Sequence, residues 1–112
     1  MLRYMRIVMM VGALLGLAGA AWAEDAKVAA GAKVYVDQKC GVCHSVGDQG
    51  NKKGPLDAVA SKLSADEIRE WIVDAKGMTA KTKAARKPVM RSYTLPKDDV
   101  DALVAYMMTL KK

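Results

Sequence analysis

The chain of 112 residues has one histidine, two cysteines and three prolines. Each scarcity removes options. A structural zinc site usually takes four nitrogen or sulfur ligands, so one histidine and two cysteines leave it one short. The cysteines stand only three positions apart, so a disulfide would close a loop too small to add much stability. That is not the framework that staples small secreted domains. No stretch alternates convincingly between apolar and polar residues, which removes the strand–helix setting of a thioredoxin-type dithiol. No repeat is long enough to suggest a solenoid. The uncharged, mostly apolar run from Ile7 to Trp22 has 16 residues, short of the roughly 20 that span a bilayer. Between Lys76 and Arg91 there are six basic residues and no acid. No aromatics are interleaved there, which argues against a nucleic-acid partner.

The beginning of the chain reads as a leader. Two arginines and no acid precede the apolar run, and Ala21-Trp22-Ala23 places small residues at the positions a signal peptidase reads, just before Glu24-Asp25. The expected organisation is therefore a cleaved secretory signal peptide at 1–23 and one domain at 24–112. Cleavage removes both leader arginines and leaves 89 residues with a net charge of +4. The expected product is soluble and periplasmic, with no membrane span. A domain of this size has a thin core and often needs a staple.

The two cysteines and the histidine are gathered in Cys40-Gly41-Val42-Cys43-His44. Two thiols three apart, followed at once by an imidazole, form the attachment pattern for a c-type haem. The thiols add to the two vinyl groups, and the adjoining histidine becomes an axial ligand of the iron. Such a covalent macrocycle would be the missing staple. For the opposite axial position the 24–112 segment offers Met78, Met90, Met107 and Met108. Met107 and Met108 fall in a helical pattern, where methionine fills core. Met78 and Met90 fall in a predicted loop, and Met90, behind Pro88-Val89 and before the last helix, is preferred.

Around the motif the pattern is all-α: three main helices, a short helical turn and long loops. A helix is expected over 27–38, with Ala26, Ala30, Val34 and Tyr35 on one face. Gly31 within it costs about 1 kcal/mol relative to alanine, which hints at a close approach by another element. Residues 45–55 read as loop, and Leu56, Val59, Ala60 and Leu63 as one or two helical turns. Ser64 and Glu67 form a capping box, with Leu63 and Ile68 as a staple. Ile68, Trp71, Ile72 and Ala75 make its buried stripe, and Lys76-Gly77 is the expected stop. Residues 78–95 then form a loop. The last helix spans 97–110, with Pro96, Asp98 and Asp99 at its start and Val100, Leu103, Val104, Met107 and Leu110 on one face.

These residues resemble a small class I cytochrome c, over essentially all of 24–112. Gly31 to His44 resembles that family's first helix and haem-attachment site, Lys53-Gly54-Pro55-Leu56 its proline loop, Lys87-Pro88-Val89-Met90 its methionine loop, and Leu103 to Leu110 its C-terminal helix. The resemblance implies that the Pro55 carbonyl accepts from the second nitrogen of His44. It also implies that Met90 is the sixth ligand and that Tyr106 packs on Gly31. It departs from the family in lacking a proline directly beside the methionine. Trp71 is expected in the core, although some family members place such a residue near a propionate.

The implied function is one-electron transfer by a single covalent haem c with His44/Met90 ligation of its iron, without enzymatic turnover. The basic stretch, with Lys52 and Lys53, suits acidic redox-partner proteins. The molecule is expected to be a monomer. Two other classes stay open: a haem enzyme or ligand sensor with a labile sixth ligand, and a haem subunit fixed to a larger oxidoreductase.

Overall fold

The computed structural model describes residues 21–112; residues 1–20, which hold most of the expected leader, lie outside the described residues. Helix α1 occupies residues 21–37 and runs through the expected cleavage point after Ala23. A 3-10 turn at Cys40–Val42 follows, then a two-stranded antiparallel ribbon of β1 (Ser45–Val46) and β2 (Gln49–Gly50). Four helices complete the chain: α2 (Val59–Lys62), α3 (Ala65–Val73), α4 (Ala75–Thr82) and α5 (Lys97–Met107). Among the described residues no helix is long and apolar enough to cross a membrane.

The core forms where α1, α3 and α5 meet. Val34, Ile68, Ile72, Val100, Leu103, Val104 and Met107 are buried in one cluster. Of the stripes expected on α3 and α5, Ile68, Ile72, Val100, Leu103, Val104 and Met107 are buried, because the 3.6-residue period lines them up on one side of each helix. Trp71 is half-buried, Ala75 is buried but belongs to α4, and Leu110 lies past the end of α5, half-buried. On α1 the expected face is only half right. Val34 is buried, but Ala26 and Ala30 are exposed. The helix meets α5 at Gly31, and Ala26 and Ala30 stand before that crossing, exposed.

The crossing of α1 and α5 turns on Gly31. A Cβ built there would overlap the Ala102 carbonyl oxygen and come within 2.8 Å of the Tyr106 Cβ. Any side chain would therefore push the helices apart, and the glycine's cost in helix propensity is offset by the contact it permits. Tyr35 and Tyr106 meet edge to face beside this crossing, with ring centroids 5.8 Å apart.

The start of α3 follows the sequence closely. The Glu67 N–H donates to Ser64 Oγ at 3.2 Å, and the Ser64 N–H donates to Glu67 Oε1 at 3.1 Å. These reciprocal bonds satisfy two donors that the first helical turn leaves open. Its end differs from expectation. The chain does not stop at Lys76-Gly77: α3 ends at Val73, and Asp74 starts a further helix by accepting from the Gly77 N–H at 3.1 Å. The expected loop over 78–95 thus shrinks to residues 83–96. Helix α4 carries only a weak apolar period, and its Gly77 reads as punctuation. The cap three residues before that glycine is what makes the segment helical.

Candidate functional site

A cavity of about 570 Å³ opens between the helices and the two loops, within the range of roughly 300–1,000 Å³ common for ligand and cofactor sites. Its deep wall is apolar: Ile68, Ile72, Leu103 and Met107 are buried members of the core. Cys40, Cys43 and His44 line it from the first loop region, and Met90 from residues 83–96. Residues far apart in sequence are therefore brought to one hollow. Trp71 lines the same space and is half-buried, so it is a wall of the cavity more than a member of the sealed core.

Backbone geometry shapes the cysteine–histidine segment. Lys39 adopts a left-handed conformation, φ 57°, and ends α1. The tight turn at Cys40–Val42 then places both cysteine side chains on the cavity wall, half-buried and unpaired. Burial raises the Cys40 thiol above its ordinary pKa, which favours the protonated, uncharged form. The β1–β2 ribbon folds back beneath the histidine. Asn51 donates its backbone N–H to the carbonyls of Gly41 (3.0 Å) and His44 (2.9 Å). Asn51 Nδ2 donates to the Val42 carbonyl at 3.2 Å. Gly50 sits at φ 97°, and a Cβ there would overlap the His44 carbonyl oxygen, so both conformation and space require glycine.

His44 is held by its Nδ1, 3.1 Å from the Gly54 carbonyl oxygen. A carbonyl only accepts, so Nδ1 carries the proton and Nε2 keeps its lone pair for a metal. The acceptor differs from the expected one: it is Gly54, not Pro55. The reason is a short parallel bridge between Ser45 and Pro55. The Ser45 N–H donates to the Gly54 carbonyl at 3.1 Å and the Leu56 N–H to the Ser45 carbonyl at 2.8 Å. That pairing turns the Gly54 carbonyl toward β1, where the ring reaches it. Burial holds His44 below its ordinary pKa, the Gly54 hydrogen bond opposes this, and the nearby Arg86 cation adds to the lowering. The ring is thus kept neutral, the form that can ligate.

The two loop methionines of the sequence part company. Met78 lies in α4, buried at 5% exposure, and does not line the cavity. Met90 stays in the loop, half-buried, and does line it. Met107, expected as core filler, is buried on α5 and forms part of the cavity's inner wall.

Sequence reasoning did not single out Tyr35 or Arg86 for the site. Tyr35 lines the cavity, and its hydroxyl is buried with no hydrogen-bond partner. Burial, with the Cys40 thiol beside it, pushes its pKa up to about 12. An orphaned buried hydroxyl is costly unless something else occupies the space it faces. Arg86 lines the cavity and donates from Nη2 to the Cys43 carbonyl at 2.6 Å. Its basic neighbours gave it the look of a surface charge, and nothing in the linear order announces that bond. The residues present fit a covalently held haem: two unpaired thiols, an imidazole with Nε2 free, a thioether and an apolar hollow with one unsatisfied hydroxyl.

A family model described as Cytochrome c matches residues 28–111, well over half of the chain. No curated protein and no solved structure gives a significant match.

Proposed function

The chain belongs to the cytochrome c family, and from that premise we propose that it is an exported mono-haem electron carrier with His44 and Met90 as the axial ligands. The observation that carries this reading is the meeting of Cys40, Cys43, His44 and Met90 around one cavity. When bound, the haem iron supplies a one-electron couple. The protein's part is to hold it and control what reaches it. Cys40 and Cys43 would hold the macrocycle as thioethers. His44 offers Nε2 because the Gly54 carbonyl holds the proton on Nδ1. Met90 offers a soft thioether, which favours the reduced state and raises the potential. Ile68, Ile72, Leu103 and Met107 keep water from the buried side.

Neither axial residue needs to change protonation during the cycle, and no substrate site is required, so electron transfer rather than enzymatic turnover is the reading offered. Lysines and arginines of the 76–91 segment, with exposed Lys52 and Lys53, would attract acidic redox partners by long-range charge. Signal cleavage after Ala23 and a periplasmic, monomeric product complete the proposal.

The test is a spectrum of the purified protein in both redox states, with and without carbon monoxide, and a mass spectrum of the denatured chain. One covalent haem on a chain beginning at Glu24, and slow carbon monoxide binding by the reduced form, are expected. A denatured chain carrying no haem overturns the reading. Rapid carbon monoxide binding would replace the carrier with a ligand sensor or enzyme.

A further inference from the structure

The segment that brings Met90 to the cavity is poorly tied to the rest of the fold. Its backbone anchors lie at its ends: the Ala84 N–H donates to the Thr79 carbonyl at 3.2 Å and the Tyr93 N–H to the Ile72 carbonyl at 2.8 Å. Ser92 Oγ also accepts from the Lys76 N–H at 3.3 Å. Between them, Arg91 lies 4.7 Å over the centre of the Tyr93 ring, and over residues 85–91 the described residues make one hydrogen bond that reaches beyond the loop itself. It is the 2.6 Å bond from Arg86 Nη2 to the Cys43 carbonyl.

The place where that bond lands matters. Cys43 is the second cysteine of the motif and adjoins His44. The guanidinium also lies against Gly54: a Cβ built on Gly54 would overlap Arg86 Nη1 and stand 2.9 Å from its Cζ. Gly54 is the residue whose carbonyl accepts from His44 Nδ1. Arg86 therefore touches both backbone segments that fix the histidine, while sitting four residues before Met90 in sequence. A guanidinium suits this task, because its planar fork can donate to a carbonyl while its flat body rests on a glycine backbone. The bond is charge-assisted, which makes it stronger than a neutral one.

We propose that Arg86 is a positioning residue that clamps the Met90 segment to the histidine side of the cavity, linking the two axial ligands through one side chain. The inference rests on the His44/Met90 reading given above. Two consequences follow from one group. Mechanically, the clamp limits how far Met90 can withdraw, so outside ligands compete poorly for the sixth position. Electrostatically, a cation beside the histidine disfavours the additional positive charge of the oxidised state, which raises the potential.

The experiment uses the haem-loaded protein as wild type, Arg86→Ala, Arg86→Lys and Arg86→Gln. The oxidised wild type should show the weak long-wavelength sulfur-to-iron band. Its absence would overturn both the ligand reading and this inference. With the band present, imidazole is titrated into each oxidised protein. Arg86→Ala should bind imidazole roughly three- to tenfold more tightly, the loss expected for one hydrogen bond. Arg86→Lys should recover most of the resistance, and the potentials of Arg86→Ala and Arg86→Gln should fall below that of the wild type. Amide hydrogen exchange should quicken over residues 85–91 in Arg86→Ala while α3 and α5 stay protected. If the band is present but imidazole affinity and exchange match the wild type, the clamp is overturned and the ligand reading stands. Equal loosening of α3 and α5 would also overturn it, by showing a general rather than a positioning role.

Discussion

The histidine side and the methionine side of the cavity are built differently. On the first, the chain from Cys40 to Leu56 is laced by backbone bonds among Gly41, His44, Ser45, Asn51, Gly54 and Leu56, and one glycine, Gly50, is compelled by its φ of 97°. On the second, residues 83–89 are all exposed, and among the described residues one hydrogen bond, from Arg86, ties 85–91 to the fold beyond the loop. Rigidity is thus spent on His44, which adjoins Cys43. Met90 is delivered by a segment with few contacts of its own. Regions with sparse burial and few backbone bonds open at low free-energy cost. Adjustability of the site should therefore reside on the Met90 side.

That contrast can be broken most sharply with the two methionines. Met78→Ala should destabilise the protein by about 2–5 kcal/mol, as for a buried methionine emptied to a cavity, while the sulfur-to-iron band persists. Met90→Ala should abolish the band. Denaturant unfolding and the spectrum of the oxidised form read the two effects separately; a lost band in Met78→Ala would move the ligand into α4. The next largest effect should come from Gly50→Ala, which places a methyl group in a left-handed residue against the His44 carbonyl. A loss of about 1–3 kcal/mol is expected, and an unchanged unfolding midpoint would show that the histidine side is less constrained than its geometry states.

Away from both sides, Asp101 tests the helical frame. It pairs with Arg69 at 2.6 Å and Lys97 at 2.7 Å. Hydrogen bonds from Lys97 and then Arg69 hold its carboxyl below the usual aspartate range. A carboxylate with a depressed folded pKa adds stability that is fully present above its unfolded pKa and disappears as pH falls through the folded one. Asp101→Asn should therefore be less stable than wild type at neutral pH, with the gap closing below about pH 4; a gap independent of pH would contradict the pairing. The smallest effect is expected at Lys83, which enters the Met90 segment at φ 56°. Lys83→Gly should relieve left-handed strain and raise stability by about 0.5–1 kcal/mol, and a lower melting temperature would refute that.

Much of the frame was legible because it depends on neighbours in sequence. The capping box at Ser64 and Glu67 closes within three residues, and the stripes of α3 and α5 repeat at helical spacing. Gly31 could be read as a close approach, although its partner was supplied by family resemblance rather than by periodicity. Helix α4 was not legible. Its apolar positions are too few to set a period, and Gly77 reads as a stop unless Asp74 is recognised as the cap before it. The acceptor of the His44 proton was missed by one residue, because the parallel bridge from Ser45 decides which carbonyl faces the ring.

By itself the sequence determined the motif that marks the family and the class of the fold. Cys40, Cys43 and His44 stand at fixed spacing along one stretch of backbone, and helical periodicity needs only local order. The tertiary structure alone decided which methionine faces the cavity, which carbonyl orients the histidine and where the Arg86 guanidinium lands. Those are contacts between segments far apart in the chain, set by how α1, α3 and α5 pack and by the paths the loops take between them. No spacing within a segment encodes a distance across the hollow.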